Sequence, residues 1–187
     1  MQKAMTNEAI TKKSKWLSKH LRHSPARIGL ELEAGGWVSV AALLEAARCA
    51  RMALSLAELE EVVEKNDKKR FAFSDDKTKI RANQGHSVEV DLGLEPQTPP
   101  EILLHGTGAQ NRDSILRDGL RKGRRHHVHL SRDVETATKV GARHGKPLVF
   151  VVEAARMHAQ GFEFFVSDNG VWLCESVPPQ YLKLAHE

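Results

Sequence analysis

Three of the chain's seven prolines fall within Leu92 to Pro100 (LGLEPQTPP). Proline fixes φ and removes a backbone donor, so neither a helix interior nor a central strand runs through such a stretch. Residues 92–100 therefore read as a linker between two lobes, 1–91 and 101–187. The lobes differ in character, helical before the linker and strand-rich after it.

In the first lobe, Thr6 is a candidate N-cap for a helix to Arg22, with Ile10, Leu17 and Leu21 at helical spacing and basic residues crowding its end. Ser24-Pro25 stops it. Gly35-Gly36 turns into a very short strand at Trp37-Val38. Ser39 caps a helix from Val40 to Ala50, and Ser55, with Glu58 at capping-box spacing, starts another that ends near Lys65. Arg70–Phe73 and Thr78–Ala82 alternate as strands around an Asp75-Asp76-Lys77 turn. Three helices followed by a hairpin is the order of a winged helix.

In the second lobe, Ile102–His105 reads as a short strand broken by Gly106. Arg112–Asp118 reads as a helix with Asn111 as cap and Gly119 beyond its end. Further strands are expected at His127–Leu130, Leu148–Val152, Phe162–Val166 and Val171–Cys174, with a helix at Val134–Gly141 and a turn at Asp168-Asn169-Gly170. The fold class is α+β.

The 28 basic and 24 acidic residues leave a net charge of +4, a mild excess that suits nucleic acid or a phosphorylated ligand and by itself decides nothing. Cys49 and Cys174 form no CxxC pair, and both stand in apolar contexts that predict buried small hydrophobes. The first residues hold no apolar signal-like segment and no run of 18 apolar residues occurs, so the expectation is a cytoplasmic protein that does not span a membrane.

Arg124-Arg125-His126-His127-Val128-His129-Leu130-Ser131 runs two arginines into an alternating strand. His127, His129 and Ser131 share one face and Val128 and Leu130 the other. The polar row has three readings: a metal site, satisfied structural histidines, or a pocket for an anion or nucleotide. No cysteine or carboxylate stands at ligand spacing beside it, and arginines next to a cation are unfavourable, so the third is preferred. His105-Gly106-Thr107 ends a strand with a side chain and backbone groups at a sheet edge, where glycine admits close approach.

With VHLS (128–131) and the SIL…GL spacing of residues 114–120, the segment LLHGTGAQNRDSILRDGL resembles the NAD-binding opening of the ADP-ribosyltransferase superfamily. More specifically, the chain resembles the RNA 2′-phosphotransferase family, bacterial KptA type. Segments around Ser18–His23, Lys69–Phe71, Ile80–Ala82, Gln84–Ser87, Arg125–Ser131, Gly141–Gly145 and Asn169–Leu173 carry the likeness, which covers residues 14–182. It implies an N-terminal winged-helix RNA-binding lobe and a C-terminal ADP-ribosyltransferase-like β-sandwich lobe with short helices. It implies a catalytic group of Arg22, His23, Arg70 and Arg125, and an NAD site of His105, Gly106, Thr107, Asn111, His129 and Ser131, with Arg132 as a neighbour. On pattern alone, Arg22 and His23 are a helix end that complements the dipole, and Arg70 is a solvated strand-start charge after Lys68-Lys69. Arg143-His144-Gly145 reads equally as a border of the site or a helix-end turn. Trp16, Trp37 and Trp172 read as core aromatics.

The implied reaction removes an internal 2′-phosphate from RNA, with tRNA splice junctions as the family analogy. A phosphate oxygen first displaces nicotinamide from the ribose of NAD. The ribose 2″-hydroxyl then displaces the RNA 2′-oxygen from phosphorus, giving ADP-ribose 1″,2″-cyclic phosphate. Val171 stands where protein-modifying relatives often carry a glutamate, which fits an acceptor that is already anionic. The alternative is an ADP-ribosyltransferase that modifies terminal phosphates of RNA or DNA and stops after the first step. His23 is open between proton transfer and phosphate binding, and His127 between ligand contact and support of its strand. The expected partners are 2′-phosphorylated RNA and NAD; the expected protein is a monomer with neither a metal nor a membrane anchor.

Overall fold

The computed structural model describes residues 5–66 and 69–185. The reading of the chain start falls partly on residues 1–4, and Lys68 also lies outside the described residues. The chain mixes helix and sheet and divides into two compact units, Met1–Gly93 and Leu94–Glu187.

The first unit opens with α1 (Asn7–Arg22), where the Thr6 hydroxyl accepts from the Ala9 N–H at 3.3 Å. β1 (Trp37–Ser39) leads straight into α2 (Val40–Cys49), capped by Ser39. α3 (Leu56–Glu64) begins with the full Ser55/Glu58 capping box, which satisfies two otherwise orphaned donors. Each such cap contributes about 1 kcal/mol. β2 (Phe71–Phe73) and β3 (Lys79–Ala82) form the hairpin, and β1 joins it to give the antiparallel order β1-β3-β2. In the turn, the Asp76 carboxylate accepts from Ser74 and twice from Thr78, which pulls its pKa down to about 2. Leu17, Leu21, Leu43, Leu59 and Ile80 fill the core. The Lys13 ammonium, almost fully buried, bonds the Ala53 carbonyl and pairs with Glu58 at 3.1 Å, tying α1 to the start of α3. Cys49 departs from expectation: it is exposed at the end of α2, beside Glu45, because its helix turns that face to solvent.

The second unit begins inside the proline stretch. Pro96 bridges Phe165, and the Gln97 N–H donates to the Phe164 carbonyl at 2.7 Å. Proline tolerates such an edge position because it has no donor to leave unpaired. β4 (Leu103–Gly108) is followed by α4 (Arg112–Asp118), β5 (Leu120–Arg121), β6 (Val128–Leu130), α5 (Val134–Gly141), β7 (Pro147–Val152), α6 (Ala154–His158), β8 (Phe164–Val166), β9 (Trp172–Cys174), β10 (Ser176–Val177) and β11 (Leu182–Leu184). These strands form antiparallel sheets in the orders β11-β7-β4 and β6-β9-β8, with β10-β5 as a separate pair. Leu103, Phe150 and Leu182 of the first sheet and Leu130, Phe164 and Trp172 of the second share one core. Cys174 is buried there, and its thiol pKa is pushed up to about 12 by burial.

β4 does not break at Gly106; it runs on to Gly108 in register with β7. α5 explains the glycine. A Cβ on Gly106 would stand 1.7 Å from the Ala137 carbonyl oxygen, so the helix backbone lies directly on the strand backbone. Gly141, one turn further along α5, meets the Thr107 carbonyl in the same way. Leu104, Ala137 and Val149 form the small apolar cluster on this face. Because the obstruction at Gly106 is backbone, no side-chain rotation relieves it. Gly106→Ala should therefore cost at least about 4 kcal/mol, the range reserved for severe core strain. Urea unfolding measures this, and a loss under about 1 kcal/mol would mean that α5 is not seated on β4.

Candidate functional site

The second unit's site starts at a single bridge. Leu104 and Ser131 exchange two backbone hydrogen bonds, at 2.9 and 2.8 Å, joining β4 to the end of β6. Beyond it the strands part. The next facing positions are Gly106 and His129, yet they form no ladder pair. Instead the His129 carbonyl accepts from the His105 imidazole, at 3.0 Å from Nδ1. In an antiparallel ladder, backbone groups alternate sides. Leu104 faces β6, so the Gly106 N–H and C=O face that same edge. The opposite ladder agrees: Val149, paired with Gly106, turns its carbonyl away to Ala185. The opening between β4 and β6 thus presents one donor and one acceptor from a single strand residue.

Side-chain chemistry is defined around this edge. A carbonyl only accepts, so His105 carries its proton on Nδ1. Burial pushes its pKa down, and the nearby Arg125 guanidinium adds to this, so the ring is neutral and Nε2 is left as an acceptor. Arg125 is the donor in its contact with His129, 3.3 Å to Nδ1. That contact fixes the His129 proton on Nε2. Thr107 is buried, and its hydroxyl oxygen accepts from Asn111 Nδ2 at 2.9 Å. Asn111 makes no side-chain cap, contrary to the sequence reading. Residues Ala109–Asn111 are a 3₁₀ turn, so its backbone is already helical and the side chain turns back to Thr107. Ser131 contributes the backbone bridge.

The remaining residues of the polar row have structural places. His127 packs its ring on Phe165 at 5.5 Å and is half-buried, which lowers its pKa. Arg132 lies over the Trp172 ring at 5.4 Å. His144 accepts through its carbonyl from Gln110, within the 3₁₀ turn Ala142–His144. Among the described residues, no group of three or more His, Cys, Asp or Glu side chains is placed to hold a metal ion.

The first unit brings Arg22, His23 and Arg70 together. The Arg22 guanidinium donates to the Arg70 carbonyl at 3.3 Å and lies 5.9 Å from the Phe71 ring. His23 Nδ1 is 2.9 Å from the Ser87 hydroxyl, and the Ser87 N–H donates to the Arg22 carbonyl at 2.9 Å. Arg70 donates to the Asn66 amide oxygen at 3.2 Å, and the buried Asn66 amide donates in turn to Ser14 at 3.0 Å. Asn83 donates from its backbone to the Arg70 carbonyl and from its side chain to Lys69. Ser14, Asn83 and Ser87 escape a reading by pattern because each acts across a long sequence separation, and Asn66, though only four residues from Arg70, is anchored by the distant Ser14. For Ser87, the segment Gln84–Ser87 already carried the family likeness.

The profile of the RNA 2′-phosphotransferase, Tpt1/KptA family matches residues 8–176. The chain belongs to this family. Every site residue expected from sequence lies inside the matched span. Curated members similar to this chain bear the name "Probable RNA 2′-phosphotransferase". The protein of Trichormus variabilis is 59% identical over 91% of this chain and 94% of its own length. That of Herpetosiphon aurantiacus is 56% identical and that of Nostoc punctiforme 55%, each over 96% of this chain and 99% of the relative.

The protonation of this family member's histidines can be tested. His105 should titrate below the ordinary value of about 6.5, as the Nδ1–H tautomer. His20 and His127 are lowered too, each chiefly by burial. The unfolded chain then binds more protons below about pH 6.5, so stability is full above that value and is lost as pH falls towards the lowered pKa values. Nitrogen-resolved NMR titration reads the tautomer directly, and a His105 that titrates at or above 6.5 contradicts the assignment.

Proposed function

We propose that this protein is an NAD-dependent RNA 2′-phosphotransferase that removes an internal 2′-phosphate from RNA, with tRNA splice junctions as the substrate type. The observation that carries the reading is the free edge of Gly106 beside the Arg125–His129–His105 chain, in a member of this family. Along one edge a primary carboxamide offers an N–H donor and a carbonyl acceptor, the complement of a strand residue's C=O and N–H. Nicotinamide carries that group, and Gly106 supplies the matching pair. Thr107, held by Asn111, and the neutral His105 flank the same strand and are assigned to the ribose side of NAD, with Ser131 and His129 on the facing strand. The helices and hairpin of the first unit support a winged-helix RNA-binding lobe, and the shared core of two antiparallel sheets supports an ADP-ribosyltransferase-like lobe.

NAD supplies the ribose carbon at which the 2′-phosphate displaces nicotinamide, and the hydroxyl that then displaces the RNA 2′-oxygen from phosphorus. The nucleophile of the first displacement is already an anion, so the protein's part there is positioning. The second displacement concentrates charge on phosphoryl oxygens. Guanidinium forks match that geometry and keep their charge at any working pH. Arg22, Arg70 and Arg125 are assigned to the phosphate. His23, backed by Ser87, is assigned either phosphate binding or proton transfer with the departing 2′-oxygen.

Incubating the protein with NAD and an RNA bearing one internal 2′-phosphate should give 2′-hydroxyl RNA, nicotinamide and the cyclic phosphate. Phosphate retained on the RNA sinks the proposal; RNA stalled with ADP-ribose attached moves the assignment to an enzyme of the first step alone. A contact of this kind supplies about 2–4 kcal/mol in the transition state, so Arg70→Ala should slow phosphate removal by roughly 30- to 1,000-fold. NAD binding should survive that change, and its collapse would move Arg70 to the NAD side.

A further inference from the structure

On the exposed face of α1, three lysines lie outside the site, in line with Arg22 at its end. Lys12, Lys15, Lys19 and Arg22 recur at intervals of three, four and three residues, which places them on one side of the helix. Lys12, Lys15 and Lys19 are exposed, and the core residues Ile10, Leu17 and Leu21 lie on the opposite side. The run covers about 15 Å of helix and ends at Arg22 and His23. Glu8 marks its other end.

Two observations separate this stripe from an ordinary solvated face. Lys13, Lys65, Lys77 and Lys79 of the same unit each have a carboxylate partner, at 3.1, 2.7, 3.0 and 2.5 Å, and outside α1 only the solitary Lys69 lacks one among the described lysines of that unit. Among the described residues, Lys12, Lys15 and Lys19 have none. Like charges three and four residues apart also disfavour a helix. The helix dipole accounts only for cations in the last turn, so it leaves Lys12 and Lys15 unexplained. A row of uncompensated cations leading to a pair of anion-binding groups fits an extended polyanion better than a small ligand.

We propose that the Lys12–Lys15–Lys19 face of α1 is a backbone-binding track for the RNA strand whose 2′-phosphate reaches Arg22 and His23. The inference rests on the proposed RNA substrate and extends it, because it assigns binding energy to phosphates outside the reacting group. Such contacts carry no base readout, so the track accepts any sequence. Each releases counterions, so its signature is the salt dependence of binding.

The test is equilibrium binding, by fluorescence anisotropy and without NAD, of a single-stranded RNA bearing an internal 2′-phosphate, from about 50 to 200 mM salt. The triple variant K12Q/K15Q/K19Q retains good helix formers, so α1 is kept. It should bind on the order of tenfold more weakly at low salt, with the slope of log affinity against log salt reduced by about 2. The variant K65Q/K77Q/K79Q makes the same change in net charge and should keep the wild-type slope. The arginine triple at 12, 15 and 19 should restore it. A wild-type slope in the glutamine triple, or an equal loss in the control, overturns the proposal. Phosphate removal by the wild type, run in parallel with NAD, judges the proposed reaction separately, since the binding result stands without it.

Discussion

The two hydrogen bonds between Leu104 and Ser131 are the joint on which the second unit's site depends. Among the described residues they are the only backbone bridge between β4 of one sheet and the end of β6 of the other. A longer ladder would pair Gly106 with His129 and bury its backbone groups. No bridge at all would free β6 from β4, and the His105–His129 contact would lose its register. One bridge keeps the strands together and leaves the next position open. On the other face of β4, α5 lies against Gly106 with no room for a side chain. The strand is therefore pressed from the helix side and open at its edge, and the same glycine serves both demands.

Proton placement follows from that geometry. The His129 carbonyl makes Nδ1 of His105 the donor, and Arg125 makes Nδ1 of His129 the acceptor. Each ring is thereby assigned a tautomer without reference to any ligand. Burial and the Arg125 charge both favour a neutral His105, so an acceptor nitrogen is kept near that guanidinium. A protonated His105 would repel the Arg125 cation and give up that acceptor.

Local chemistry was legible in the sequence wherever one or two residues determine the outcome. Thr6, Ser39 and Ser55 cap the helices they precede, and the Asp76 turn joins the strands it separates. The readings that failed depend on neighbours distant in sequence. Gly106 looked like a strand breaker because the helix that requires it lies some thirty residues on, at Ala137. Asn111 looked like a cap, but a preceding 3₁₀ turn removes the extended backbone that capping needs. Cys49 looked buried from its apolar neighbours, while its own place on α2 faces out. The alternation that put His127 and His129 on one face is real, yet Phe165 occupies the first and Arg125 the second. The supporting shell around Arg70 could not be read at all, since Ser14, Asn66 and Asn83 converge only after folding.

The arginines assigned to phosphate share a mode of support. Arg22 donates to a backbone carbonyl, Arg70 to an amide oxygen, and Arg125 to an imidazole nitrogen. Each of these acceptors is neutral. In each of these contacts a neutral acceptor sets a direction for the fork through a directed hydrogen bond. The amide of Asn66 illustrates the point, because Ser14 anchors its donor end while its oxygen addresses Arg70. Paired lysines elsewhere in the first unit meet carboxylates instead, as Lys13 meets Glu58 in tying α1 to α3. A carbonyl, an amide oxygen and an imidazole nitrogen each orient a guanidinium through a directed hydrogen bond, whereas the Lys13–Glu58 pair joins its elements by charge as well.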